Sequence, residues 1–290
     1  MRFLKIALFL MFISSCARPI ADFSYSGEEK TAPADVLFEN TSKESETYEW
    51  DFGDGTKSRE ESPTHNYISS GNYTVGLKAK KGEKESSQEK QLYVSAPEKC
   101  LVRIKTDYGD MLIELYNATP QHRDNFIKLA EEGYYDELLF HRVIDGFMIQ
   151  GGDPNSRNSK PKIALGSGGP GYQIPAEFTD SLFHVKGALA AARTGNPEKK
   201  SSGSQFYIVQ GKTVDDRQLD MMEARGDFHY PIETREAYLE NGGTPQLDNE
   251  YTVFGMVIEG IEVIDKIAEL STDRNNRPKE DVKMTIEVIK

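Results

Sequence analysis

The chain has 290 residues, too many for one small domain and enough for two. A formal charge of −12 argues against a nucleic-acid binder, which needs a basic face, and an ordinary hydrophobic fraction of 37% describes globular protein. The five histidines, His65, His122, His141, His184 and His229, show no H-x-x-x-H spacing, and no cysteine pair joins them, so neither a zinc site nor another metal is expected.

The first predicted element is a leader: Arg2 and Lys5, an apolar run over residues 6–13, then Ser14, Ser15 and Cys16. This is the shape of a secretory signal and is too short to span a bilayer. The small residues before Cys16 resemble a bacterial lipobox, with Ile13 where leucine is commoner. The resemblance implies a signal peptide over 1–15, acylation of Cys16 and a tether over 16–20 to a lipid bilayer. Several acyl chains hold a protein stably, whereas one does so marginally. Because no aspartate follows Cys16, the same analogy implies the bacterial cell envelope, at the outer membrane facing the periplasm. Ordinary cleavage near Ser15, leaving a free thiol, is the alternative. With Cys16 acylated, Cys100 would have no partner for a disulfide within the monomer.

Residues 21–96 predict a β-sandwich. Short alternating strands are expected at 36–38, 48–52, 73–79 and 91–94, separated by turn clusters at 53–56, 69–72 and 81–82. Tyr48, Trp50 and Phe52 alternate, so they share one face, the expected core. The strings Y-E-W-D-F-G-D-G-T, S-P-T-H-N-Y and S-G-N-Y-T-V resemble the PKD module, an immunoglobulin-like sandwich. Asp51 and Asp54 lack the spacing of a calcium loop and read as turn-forming carboxylates. With no visible nucleophile–base pair, the module is expected to space the next domain or to bind a protein or glycan partner.

A linker over 97–100 leads to a second domain, 101–290. A hairpin is predicted from strands at 101–106 and 111–115, then a helix opening at Thr119-Pro120, with Phe126, Leu129 and Ala130 on one face and Gly133 as its stop. Residues 140–154, FHRVIDGFMIQGGDP, read as one or two strands closed by a Gly-Gly turn. An arginine cannot be buried alone there, so Arg142 is either paired or stands at the lip of an apolar pocket. Gly166 to Gly171 formally fit G-x-G-x-x-G. No strand leads into a helix there, and Pro170 and Pro175 oppose a helix start, so this is a loop and not a dinucleotide site. Strands are predicted at 187–193, 204–209, 251–257 and 283–289, and a helix at 261–270. Helical composition appears at 214–225 and 232–240.

F-H-R-V-I-x-G-F-M-I-Q-G-G-D, with G-x-L-x-x-A at 187–192, G-S-Q-F-Y-I at 203–208 and T-V-F-G at 252–255, resembles the cyclophilins, peptidyl-prolyl cis-trans isomerases, in the family's order. The resemblance implies a mainly β fold, a closed eight-stranded barrel capped by two helices, with residues 211–245 as a helical insertion. It also implies an enzyme acting on proline-containing unfolded or flexible polypeptides without a cofactor. By the same resemblance Arg142 is the catalytic arginine and Gln150 orients it and bonds substrate backbone. Phe147, Met148, Leu247 and Tyr207 line the proline pocket; Ala192 and Arg193 pair with the extended peptide; Gln205 is a polar rim residue. Tyr251 stands where many members have histidine, Tyr207 where many have phenylalanine, and Arg193 where asparagine is usual. Gln246 replaces a rim tryptophan, which implies weak cyclosporin binding and leaves open a non-catalytic client- or glycan-binding protein. The insertion, ending beside Gln246, is a candidate wall of the groove. His141 reads as a satisfied structural histidine, since adjacent side chains on a strand face opposite ways. No G-x-S-x-G nucleophile elbow is present.

Overall fold

The structure is a computed structural model that describes residues 18–26, 30–67, 70–96, 98–161, 163–226 and 228–289. The expected leader and Cys16 lie outside the described residues. The chain divides between Ser95 and Ala96 into two compact units.

In the first unit, β1 (Phe23–Tyr25), β2 (Ala34–Asn40) and β5 (Thr64–Tyr67) form a three-stranded sheet. A four-stranded sheet has the order β4 (Lys57–Ser58), β3 (Thr47–Asp51), β6 (Gly71–Lys81), β7 (Lys84–Val94). All pairs are antiparallel. The two sheets meet at Trp50, whose ring lies 5.1 Å from Phe23 and 5.5 Å from Phe38 of the opposite sheet. Its indole N–H, which would otherwise be stranded in apolar surroundings, donates to the Glu60 carbonyl at 3.0 Å. Phe52 stacks on Trp50 and Tyr48 packs against the same cluster, as the alternation predicts. Asp51 and Asp54 are turn formers: they accept from the N–H groups of Gly53 and Thr56, and Asp54 also meets His65 Nε2 at 2.7 Å.

The second unit is a single large antiparallel sheet with helices against it. Its elements are β8 (Cys100–Thr106), β9 (Gly109–Leu115), α1 (Pro120–Glu131), β10 (Leu138–Leu139), β11 (Arg142–Ile144), β12 (Met148–Gly151), β13 (Gln173–Ile174), β14 (Ala188–Ala191), β15 (Ser201–Ser202), β16 (Phe206–Val209), α2 (Asp216–Gly226), α3 (Ile232–Asn241), β17 (Val253–Glu259), α4 (Ile261–Ala268) and β18 (Lys283–Ile289). The sheet runs β10-β18-β8-β9-β17-β14-β16-β12-β11, with β13 and β15 paired separately. Its two edge strands, β10 and β11, are separated in sequence only by Phe140 and His141, so the chain itself curls the sheet round. The sheet has nine strands because the signature stretch breaks into short pieces and Leu138–Leu139 joins from upstream. Strand β8 pairs with β18 from Leu101↔Ile289 to Lys105↔Thr285, so the two ends of the unit are neighbours.

Alternate residues of the strands, among them Val143, Ile149, Phe206 and Ile208, fill the interior with Phe126 and Leu129 of α1 and Val263, Ile264 and Ile267 of α4. Each fully buried aliphatic side chain of that kind contributes about 1.5–3 kcal/mol. Thr119 makes no capping bond to α1. Instead the Glu177 carboxylate accepts from the N–H groups of Gln121 and His122, both at 3.0 Å, and lies 2.7 Å from His122 Nδ1. Burial alone would raise the Glu177 pKa, but the bonds from His122 and Gln121 more than offset it and hold the carboxyl below its ordinary value.

The insertion leaves and rejoins the sheet at one neck, where Gly243 N–H donates to Lys212 O at 2.9 Å and Lys212 N–H to Gly243 O at 3.3 Å. Glycine is required there, because a Cβ on Gly211 would lie 2.4 Å from the Gly243 Cα. Beyond the neck, α2 and α3 enclose a small core of Phe183, Val214, Leu219, Tyr230 and Tyr238. Among the described residues no helix is long and apolar enough to cross a membrane.

Candidate functional site

One row across four strands carries the site. Arg142 on β11 stands opposite Gln150 on β12, Gln150 opposite Tyr207 on β16, and Tyr207 opposite Ala190 on β14. Because strand side chains alternate, these residues share the face turned away from the interior filled by Ile149, Phe206 and Ile208.

On that face lies an open-mouthed cavity of about 220 Å³, lined by Arg142, Phe147, Met148, Gln150, Ala192, Arg193, Tyr207, Leu247 and Tyr251. Nine of the ten residues singled out in the sequence for this domain therefore meet at one hollow. The tenth, Gln205, lies beside it: Arg142 Nη1 donates to Gln150 Oε1 at 3.1 Å, Gln150 Nε2 to Gln205 Oε1 at 3.1 Å, and Gln205 Nε2 to the Gly168 carbonyl at 2.7 Å. This amide relay fixes a half-buried guanidinium without a counter-charge. Among the described residues no carboxylate lies within ion-pair distance of Arg142. Among the described residues its five N–H donors meet one partner, Gln150.

The floor of the cup is apolar. Met148 and Tyr207 are buried, and Phe147 and Leu247 are partly so. Arg193, expected to act only through its backbone, also builds a wall: its guanidinium lies 4.7 Å over the Tyr251 ring and bonds Glu250 Oε2 at 2.9 Å. Ala192 differs from expectation. Its N–H donates to the Gln205 carbonyl and its own carbonyl accepts from Ser202 N–H, so the N–H is already engaged within the protein. Among the described residues no main-chain bond engages the N–H or carbonyl of Arg193. Gln246 is exposed, immediately before Leu247.

Three further expectations change. Among the described residues the insertion contributes none to the lining of the cup, in place of the wall expected of residues 211–245. The glycine-rich stretch, expected as a turn-rich surface loop, also borders the groove, since Gly166 to Gly169 line a second cavity of about 400 Å³ that shares Gln150, Ala192 and Arg193 with the cup. Asp153 holds this loop by accepting from Gly166 N–H. His141 is buried, and among the described residues neither ring nitrogen meets full hydrogen-bond geometry, although the Leu139 main chain stands close enough to favour the charged ring. Burial pushes its pKa down to about 4, which keeps the ring neutral.

Sequence reasoning missed two constellations. His122 lies 3.0 Å from Ser201 Oγ and 2.7 Å from Glu177, the arrangement of a nucleophile, base and carboxylate. Ser201 is 1% exposed, and the cavity beside His122 holds about 10 Å³, so no substrate could reach it. The second is His184 with Asp248, buried behind Tyr207. Partners separated by 64 residues leave no local signal.

Comparison with known proteins agrees with this geometry. Residues 101–288 match the family described as cyclophilin type peptidyl-prolyl cis-trans isomerase/CLD, and residues 16–96 match the PKD domain. A Staphylococcus aureus protein with the provisional name peptidyl-prolyl cis-trans isomerase is 40% identical over 185 residues, 62% of this chain and 87% of the relative. A Streptococcus pyogenes protein, provisionally named a bifunctional phosphatase/peptidyl-prolyl cis-trans isomerase, is 42% identical over 64% of this chain, but the match spans only 38% of that relative's length. The crystal structure of a Cryptosporidium parvum cyclophilin type peptidyl-prolyl cis-trans isomerase superposes with a TM-score of 0.50 at 28% identity, over 66% of this chain and 98% of that one. The chain thus belongs to the cyclophilin-type peptidyl-prolyl cis-trans isomerases, with a PKD domain ahead of the isomerase domain.

Proposed function

We propose that this cup rotates Xaa-Pro peptide bonds with Arg142 as the catalytic group. The bond resists rotation by about 20 kcal/mol because resonance gives C–N double-bond character. In the twisted state the prolyl nitrogen becomes pyramidal and gains a lone pair. A guanidinium N–H aimed there bonds more strongly in the transition state than in the planar ground state, which is what catalysis requires. Phe147, Met148, Tyr207 and Leu247 hold the ring, Gln150 sets the guanidinium, and the main chain of Arg193 receives the extended peptide. No nucleophile or cofactor takes part in this step.

The observation that carries this reading is a guanidinium at the mouth of an apolar hollow, held by an amide and by no carboxylate. The test is a protease-coupled assay on an Xaa-Pro peptide, comparing the wild-type chain with Arg142→Ala. A fast wild-type rate that drops to near background in the variant is expected. Equal, background rates for both remove the isomerase.

The leader pattern and Cys16 support a cell-envelope lipoprotein that assists folding of exported proteins, where unaided proline isomerisation takes tens of seconds. In this reading the PKD domain spaces the isomerase from the bilayer or binds a protein or glycan partner. Mass spectrometry of the mature N-terminus decides the anchor: acyl chains on Cys16 are expected, and an unmodified thiol rules them out.

A further inference from the structure

The residue after the cup's Leu247 is Asp248, and its carboxylate is wholly buried. Such a charge costs heavily unless donors surround it. Asp248 has four. Its Oδ1 accepts from the His184 N–H at 2.8 Å and lies 2.7 Å from His184 Nδ1; its Oδ2 accepts from the hydroxyls of Tyr230 and Tyr238, each at 2.7 Å. The other side of the imidazole, Nε2, lies 2.9 Å from the hydroxyl of Tyr207, and the two rings are stacked at an angle of 14°. Burial raises the pKa of Tyr207, Tyr230 and Tyr238, so all three keep their protons. A neutral ring that donates Nδ1–H to Asp248 accepts from the Tyr207 hydroxyl through Nε2.

Two of the four donors, Tyr230 and Tyr238, come from the insertion, where their rings belong to its small core. At the other end stand two walls of the cup, Tyr207 through its hydroxyl and Leu247 through the chain. The relay of Arg142, Gln150 and Gln205 is separate from this network. We infer that the insertion is a positioning device for the isomerase site, in which Tyr230 and Tyr238 act through Asp248 and His184 to set the ring of Tyr207 and the chain at Leu247. The inference rests on the isomerase reading of the same cup. It gives the insertion a role without contact with substrate, in place of the wall expected from the sequence.

The test compares the full wild-type chain with Tyr230→Phe/Tyr238→Phe, which keeps both rings in the small core and removes only the hydroxyls, and with Asp248→Asn. Steady-state isomerisation of an Xaa-Pro peptide gives KM and kcat separately, and NMR follows the Leu247 methyls and the Tyr207 ring without peptide. The expected result for the double variant is a KM raised about five- to tenfold, a kcat within about twofold of wild type, and shifted Leu247 and Tyr207 resonances. A purely structural role would lower the folded fraction and leave KM where it was; that result overturns the inference, as do wild-type KM and unshifted resonances in a folded variant. Should wild type itself fail to accelerate isomerisation, the isomerase reading falls. The resonances then decide the coupling alone, shifted supporting it and unshifted overturning it.

Discussion

Arg142 and Gln150 stand directly opposite each other on adjacent antiparallel strands, with Nη1 3.1 Å from Oε1. A neutral amide in that place orients a guanidinium and leaves its charge unspent. A carboxylate would capture it.

Replacing Arg142 should therefore be costly in rate and cheap in binding. Arg142→Ala is expected to lower kcat/KM for an Xaa-Pro peptide by roughly 10²–10³-fold, the effect of losing one preorganised donor. Arg142→Lys keeps the charge but loses the planar fork, and should recover only a small part of the loss. Peptide affinity, measured by calorimetry, should change little in either variant.

The near-isosteric Gln150→Glu tests the role of neutrality. It is expected to form an ion pair with Arg142 and, by breaking the bond to Gln205, to loosen the second cavity. A fall of about tenfold in kcat/KM at neutral pH should follow, with partial recovery as acid protonates the new carboxyl. Unchanged activity would separate the guanidinium from catalysis.

His141 should make stability depend on pH. Its folded pKa of about 4 lies below the ordinary 6.5. Between those values the unfolded chain binds more protons than the folded one, so stability falls as pH drops through that window. The loss approaches about 3 kcal/mol once both states are protonated. Urea unfolding at several pH values, wild type against His141→Phe, should show a steeper decline for wild type from pH 6.5 to 4. An NMR titration of the imidazole reads the shift directly.

Glu177 should contribute to stability by capping α1 and pairing His122. Glu177→Ala strips the N-terminus of α1 of its two acceptor bonds and leaves His122 Nδ1 without its partner, while Nε2 keeps Ser201. A destabilisation of about 1–3 kcal/mol is expected by urea unfolding. Equal stability of the two proteins would mean that water caps the helix as well.

The sequence-visible part of this protein is the part encoded by local alternation and by short motifs. Trp50 with Phe52, Phe126 with Leu129, and the residues of the cup all announce themselves within a few positions of a turn or strand. Polar strands were invisible: β7 begins K-E-S-S-Q-E-K, with little to bury on either face, and is held by its ladder to β6. Helix α1 takes its cap from Glu177, 56 residues after Gln121, so Thr119 and Pro120 marked the place of the helix start and not its chemistry. The same holds for Asp248. Its neighbours in sequence, Leu247 and Asn249, say nothing of the two tyrosines and the histidine that hold it.

The pairing of Leu101 with Ile289 has a mechanical consequence. Tension applied across both termini of the isomerase domain would open the ladder between β8 and β18 one rung at a time, the direction in which crosswise hydrogen bonds resist least. A load hung from one terminus alone would leave that zipper unstressed. A domain of this build tolerates being dragged by a leash and comes undone when stretched between two.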